Sequence, residues 1–326
     1  MTRVLSCIQP TGEKHLGNFV GAVMRWVTDQ SAESFHGVVD LHALTVRRDP
    51  AVLREKTLET AMLLFAAGLD PNVATVFIQS HVPEHAQLSW IMECTIGYGE
   101  LNRMTQFKDK ASKQTDDNVL AGLFTYPALM AADILLYDAT EVPVGEDQRQ
   151  HLELTRDAAQ RFNQRYGTTF IVPKGTMPKV GARVMDLQDP TSKMSTSAAS
   201  PAGTINVLDT PKELEKKVKR AMTDLDGEVR YDIENKPGIS NLLSILAAAT
   251  GEADPAVLAD KYTQYGPLKA DTAAALIEYL RPTQERFAEL AADPGEVTRI
   301  LKVGAERAGA IATVTLERAY KAIGLR

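Results

Sequence analysis

The segment Val4-Leu5-Ser6-Cys7-Ile8-Gln9-Pro10-Thr11-Gly12-Glu13-Lys14-His15-Leu16-Gly17-Asn18 carries the reading of the fold. Its apolar start gives way to a polar turn. Apolar residues at helical spacing then follow: Phe19, Val20, Ala22, Val23, Trp26 and Val27. The order is strand, turn, helix. Gly17 has no Cβ and lets backbone approach a ligand closely. The helix start presents unpaired N–H groups and a positive dipole end, which suit a phosphate. His15 and Asn18 add side-chain donors for phosphate or ribose oxygens.

Far downstream, Lys193-Met194-Ser195-Thr196-Ser197 supplies a positive charge among hydroxyls. A loop of this kind closes on a triphosphate and stabilises the charge that builds up during displacement. Taken singly, each segment has a bland reading. A His-x-Gly-Asn tetrad is common, and a Ser/Thr-rich loop with one lysine is usually a solvated connection. Together and in this order they describe a site that activates a carboxylate with ATP.

Working outward, residues 37–40 and 75–79 read as strands, being apolar, β-branched and bounded by polar residues. Between them, residues 50–69 repeat apolar positions at helical spacing and stop around Gly68. Such alternation implies a parallel sheet covered by helices, with ligands at the carboxyl ends of its strands. Gln9 and Asp40 then aim at one crevice. Residues 103–123 are polar and read as a flexible insertion or the tip of a helical hairpin. Beyond Pro201 strand signals fade, and helical patterns dominate over 211–222, 239–249, 271–291 and 297–323. The expected fold class is α/β. A Rossmann-like, doubly wound parallel-sheet catalytic domain, with a helical insertion and the Lys193 loop, occupies residues 1–200. An all-α domain occupies residues 201–326.

Composition narrows the class. Hydrophobic residues make up 44% and charged residues 24% of the 326, ordinary for a soluble globular chain of two domains. No stretch approaches the roughly 20 apolar residues that span a bilayer, and the N-terminus lacks a secretory pattern. Cys7 and Cys94 are too few for a disulfide framework or a four-thiolate site. The six histidines show no zinc spacing. A cytoplasmic protein with no structural metal and no membrane partner is expected. A net charge of −6 argues against a general nucleic-acid coat, DNA included. Local basic patches for RNA remain at Arg47-Arg48 and over 212–220. Each reads equally well as a solvated helix face.

The first segment resembles the His-Ile-Gly-His signature of the class I aminoacyl-tRNA synthetases, with Asn18 in the last place. The second resembles their Lys-Met-Ser-Lys-Ser loop. Further runs make the chain similar to the bacterial tryptophanyl branch of that family. They are Gln9-Pro10-Thr11-Gly12, Val39-Asp40-Leu41-His42-Ala43, Met104-Thr105-Gln106-Phe107-Lys108, Thr125-Tyr126-Pro127, and Met130-Ala131-Ala132-Asp133-Ile134-Leu135-Leu136-Tyr137. Pro143-Val144-Gly145-Glu146-Asp147-Gln148, Pro178-Lys179-Val180-Gly181-Ala182-Arg183 and Lys236-Pro237-Gly238-Ile239-Ser240-Asn241 complete the set. The resemblance spans nearly the whole chain.

It implies activation of L-tryptophan by ATP, with Mg²⁺ on the nucleotide, to tryptophanyl-adenylate and pyrophosphate. Transfer to the 3′ end of tRNA(Trp) follows. It also implies a homodimer whose helical domain reads the anticodon. The nucleophile is already anionic, so positioning and charge stabilisation should carry the first step without a general base. By resemblance, His15, Asn18, Lys193 and Lys110 are the expected catalytic groups. Gln9, Pro10, Thr11, Gly17, Asn18, Gly145, Asp147, Gln148, Lys193, Met194, Ser195, Thr196 and Ser197 form the ATP site, and Asp147 could equally serve an internal hydrogen bond. The tryptophan slot takes Leu5, Cys7, Gln9, His42, Tyr126, Met130, Asp133, Val142, Val144 and Gln148. Asp133, an acid in an apolar helical run, matches the acceptor of the indole N–H. The residues alone leave a cap or an internal salt bridge open. His42 reads either as a neighbour of the slot or as a satisfied core histidine.

Three positions depart from the pattern. Thr196 removes a lysine, which should weaken ATP or transition-state binding unless Lys110, Lys113 or another cation compensates. Cys7 stands where Gly is usual, and His15 where Thr is frequent. These departures motivate an expectation of altered tolerance of tryptophan analogues. Three rival functions stay in view: a tyrosine-specific sister enzyme, a nucleotidyltransferase that uses no tRNA, and a catalytically dead paralogue that senses tryptophan or binds RNA.

Overall fold

A computed structural model of the chain describes residues 2–106, 119–145, 148–176, 184–195 and 200–326. Among these residues five parallel strands form one sheet: β1 (Val4–Ile8), β2 (Ser34–Val38), β3 (Thr75–Ile78), β4 (Glu141–Pro143) and β5 (Lys174–Thr176). Their order is β3-β2-β1-β4-β5. The chain winds outward from β1 to β3, then returns to the other side of β1. The order thus reverses between β1 and β4, and a ligand crevice opens at such a switch point. These two strands share a single register pair, Val4↔Glu141.

The expected strand over 37–40 ends two residues early. Asp40 opens the short helix α3 (Asp40–Ala43), and its carboxylate accepts hydrogen bonds from the Ser80 N–H at 2.9 Å and hydroxyl at 2.5 Å. It is tied to the exit of β3 and does not aim into the crevice. The first helical stretch is also less regular than its sequence pattern. It runs as α1 (Leu16–Asn18), a π-helical turn (Phe19–Val23) and α2 (Met24–Asp29). The helix expected over 50–69 is α4 (Pro50–Ala66). Asp49 caps its start by accepting from Ala51 and Val52 N–H at 2.8 and 3.1 Å, and Pro50 needs no partner there.

Side chains alternate across the sheet and feed two cores. Leu5, Phe35 and Phe77 face α5 (Glu84–Glu93), α7 (Ala121–Leu136) and α8 (Arg149–Tyr166); α6 (Tyr98–Asn102) adds Leu101. Val38, Val76 and Ile78 face α1, α4 and the helical half. That half contains α9 (Pro211–Lys219), α10 (Pro237–Thr250), α11 (Pro255–Ala259), α12 (Tyr265–Ala292) and α13 (Pro294–Ile323), close to the four helical patterns. Residues of α13 join both cores: Val297 and Leu301 enter one, Ala308, Ala312 and Leu316 the other. Gly304 makes this docking possible, because a Cβ there would lie 1.8 Å from the Val76 carbonyl oxygen on β3. No helix among the described residues is long and apolar enough to cross a membrane.

Candidate active site

The polar turn leaves β1 at the crevice. Gly12 adopts φ +66, which only glycine takes without strain. Lys14 folds back beneath the turn, and its ammonium donates to the carbonyls of Gln9, Thr11 and Gly12 at 2.8, 3.2 and 3.4 Å. His15 caps α1: its Nδ1 accepts from the Asn18 N–H at 3.3 Å. With Nδ1 accepting, the proton of the neutral ring sits on Nε2, a donor. Burial, then the charges of Lys193 and Lys14, push the His15 pKa down to about 4. Gly17 admits this arrangement, since a Cβ would stand 3.1 Å from the His15 ring.

The downstream loop reaches the same place through backbone pairing. Lys193 lies opposite Met185 in an antiparallel bridge, and buried Met194 anchors the strand through its N–H to Val184 O at 3.2 Å. Asn241 of α10 donates to Met185 O and accepts from Met185 N–H, both at 2.9 Å. The helical half therefore grips the backbone directly across from Lys193. A second splice runs through residues 204–207. The Thr204 hydroxyl donates to Ser195 O at 2.9 Å, Leu16 N–H to Ile205 O at 2.8 Å, and Val207 N–H to Lys14 O at 2.9 Å. The two signature segments are thereby joined in one hydrogen-bonded assembly.

On the other side of the crevice, α7 presents Tyr126, Met130 and Asp133, which share one face by their helical spacing. Asp133 is 3% exposed. Its Oδ1 accepts from Gln79 at 2.7 Å and pairs with His85 Nδ1 at 2.6 Å, and its Oδ2 pairs with His42 Nε2 at 2.7 Å. Burial alone would raise the carboxyl pKa. The charges and hydrogen bonds of His42 and His85 outweigh it and hold the group below the usual carboxylate range. His85 Nε2 meets the Tyr137 hydroxyl at 2.7 Å, and burial pushes the Tyr137 pKa up, keeping that hydroxyl protonated. Tyr126 bonds His151 Nε2 at 2.7 Å, and its ring lies edge-on to His42 at 6.2 Å. Burial raises its pKa to about 12.

The structure brings His15 to Lys193 and His42 to Asp133. Leu5, Val142 and Val144 are buried in one apolar core, and Met130 is half-buried. Cys7 reaches solvent although protein surrounds it. That surrounding, then the charge of Asp133, pushes its pKa up. Room for the thiol comes from Gly37, whose Cβ would lie 3.2 Å from Sγ. Gln148 caps α8, its N–H bonded to Gly145 O at 3.0 Å. Lys110, Lys113, Asp147, Thr196 and Ser197 lie outside the described residues. Of the internal partners left open for Asp133, the structure supplies two histidines at hydrogen-bond distance. Sequence reasoning missed its supporters, Gln79 and His85. Their only signal was polar side chains directly after an apolar strand, Gln79-Ser80-His81-Val82-Pro83-Glu84-His85. Among the described residues no cluster of three or more His, Cys, Asp or Glu side chains could hold a metal.

Known proteins align with this arrangement over its whole length. Residues 1–281 match the family described as tRNA synthetases class I (W and Y). A tryptophan–tRNA ligase (number 2) of Streptomyces avermitilis is 57% identical over 326 residues, covering 99% of this chain and 96% of that one. The crystal structure of tryptophanyl-tRNA synthetase from Mycoplasma pneumoniae superposes with a TM-score of 0.91 at 37% identity, covering 100% of this chain and 98% of the other. The Campylobacter jejuni tryptophanyl-tRNA synthetase complexed with ADP and tryptophan gives 0.86 at 32% identity, covering 99% and 100%.

Proposed function

The chain belongs to the class I tRNA synthetases of the W and Y family, and we infer that it activates L-tryptophan with ATP and transfers it to tRNA(Trp). The observation that carries the reading is the hydrogen-bonded joining of the His15 and Lys193 segments at the end of β1, the strand whose Cys7 feels the charge of Asp133. In the first step a tryptophan carboxylate oxygen bonds to the α-phosphorus. The bond from that phosphorus to the β-phosphate bridging oxygen breaks, and pyrophosphate leaves with the electron pair. In this reading His15 Nε2–H holds a phosphate oxygen, and Lys193 balances the charge that grows on the leaving group. Mg²⁺ would come on the nucleotide, its ligands the phosphate oxygens and water.

Asp133 has a chemistry suited to the indole N–H. Among the described residues Oδ2 has one hydrogen-bonded partner, His42, which leaves it a lone pair. A fixed acceptor of this kind penalises a side chain that brings no donor. Val142, Val144 and Met130 give the apolar walls. The Cys7 thiol narrows the slot, and altered analogue tolerance is assigned to it. Unchanged analogue inhibition after Cys7→Gly would remove that assignment.

The rest of the reading extends to tRNA and to a second subunit. The anticodon is assigned to the helical domain over 201–326, whose α9 carries Lys212, Lys216, Lys217 and Lys219. A homodimer is supported by an outer face where Trp90 is 68% and Tyr98 73% exposed. Sedimentation as a monomer would remove it. A cytoplasmic location completes the proposal. The deciding experiment is exchange of labelled pyrophosphate into ATP. Exchange that depends on tryptophan and ignores tyrosine is expected. Exchange with tyrosine alone would give the site to the sister enzyme, and no exchange in folded protein that binds tryptophan would make it a sensor.

A further inference from the structure

Lys14 is 8% exposed, yet no carboxylate lies within ion-pair distance of it among the described residues. The nearby acids are already engaged. Lys56 on α4 bridges Glu13 at 2.7 Å and Glu59 at 2.8 Å. The Lys14 ammonium instead faces three carbonyl oxygens of residues 9–12. A buried cation paired only with dipoles is costly, and an incoming anion relieves that cost. The His15 cap of α1, with its Nε2–H donor, follows directly in the chain.

We propose that Lys14 is a built-in cation of the nucleotide site: clamped by the carbonyls of Gln9, Thr11 and Gly12, it holds this turn in shape and adds positive charge beneath the bound phosphates. Its contact is with the turn, so it acts as a positioning residue and not as a catalytic one. The inference rests on the nucleotide reading of the site and adds a residue to it.

The charge is also adjustable. Burial lowers the Lys14 pKa to about 8, with Glu59 and Glu13 pulling it back up and Lys56 pushing it down. The groups facing it are Glu13 and His15 on its own segment and Lys56 and Glu59 on α4, while Lys193 on the downstream loop faces His15. His15, with a pKa of about 4, stays neutral above pH 6. A bound anion favours the charged amine, so nucleotide affinity is full below this pKa and falls as pH rises through it.

The test is the dissociation constant of ATP at pH 7 and pH 9 for the wild type, Lys14→Met and Lys14→Arg, with tryptophan affinity as the control for folding. The wild type should weaken several-fold between the two pH values. Lys14→Met should bind ATP about tenfold more weakly at pH 7 and show little further loss, while Lys14→Arg should hold its affinity at both. A Lys14→Met protein that matches the wild type at pH 7, or keeps its alkaline loss, overturns the inference alone. If Lys14→Met fails to fold, a wild type and a Lys14→Arg protein that lose affinity in parallel overturn it. A wild type that binds no ATP overturns this inference and the nucleotide reading together.

Discussion

Around Asp133, side chains hold a side chain: Gln79, His85 and His42, from three places in the chain, converge on one carboxylate. Around His15, main chain holds main chain: Leu16, Ile205, Lys14 and Val207 pair like strands, and the Thr204 hydroxyl adds a backbone carbonyl. In the proposed function the difference follows from what each region would recognise. One indole N–H would need one lone pair fixed in direction, with rigid partners on the rest of the acceptor. A polyphosphate would be met by donors and diffuse positive charge, which the chain path brings together. Selectivity would then be concentrated in a few side chains on one side and spread over the chain path on the other.

The contrast can be broken from either end. Asp133→Asn should have the largest effect. It removes a buried charge whose histidine partners stay behind, a loss of about 3–5 kcal/mol, and kcat/KM for tryptophan should fall by a factor on the order of 10²–10³. The dissociation constant of ATP should not move. Equal losses for both substrates would show that the two regions are one cooperative unit.

Asn241→Ala attacks the other side at a distance. It strips both hydrogen bonds from the Met185 backbone opposite Lys193, at about 1–3 kcal/mol. Steady-state kinetics should show the KM for ATP up roughly tenfold with the KM for tryptophan unchanged. A rise confined to tryptophan would reverse the assignment of the two halves.

Acid sharpens the comparison through stability. The folded His15 pKa of about 4 lies below its ordinary 6.5, so the unfolded chain binds protons first as pH falls. The stability is full above 6.5 and drains away toward pH 4, on the order of 3 kcal/mol. Buried His36, with neither ring nitrogen hydrogen-bonded among the described residues and a pKa of about 4, drains in the same window. Asp133, held below the carboxylate range, loses its contribution only at more acid pH. Urea midpoints at pH 7 and pH 5 should fall clearly for the wild type and less for His15→Asn, which can still cap α1. An unchanged drop in that variant would assign the acid sensitivity elsewhere.

Much of this was legible in the chain because it is local. The strand-turn-helix order at residues 4–27 and the helices of the second half follow from apolar spacing. Tyr126, Met130 and Asp133 lie on one helix, so their shared face is written in their numbers. What stayed hidden is what three dimensions assemble. Gln79 and His85 become partners of Asp133 only because the exit of β3 and the start of α5 lie beside α7. Asn241 reaches Met185 across more than fifty positions of chain. β5, Lys174-Gly175-Thr176, is three residues long with no apolar alternation, and its place at the sheet edge comes from pairing with β4. The π-helical turn at Phe19–Val23 keeps an apolar pattern that a regular helix would also show. Lys14 carries no mark of burial in its residue type or spacing, since its burial depends on how the turn closes over it.

The position of α13 sets an order of events during synthesis. Its side chains complete both cores, and Gly304 closes it against β3. A nascent chain with residues 294–323 still inside the ribosome would expose an uncovered sheet edge and two open apolar surfaces. The enzyme that loads amino acids for translation would thus itself close its two cores only once α13 has been translated and has emerged.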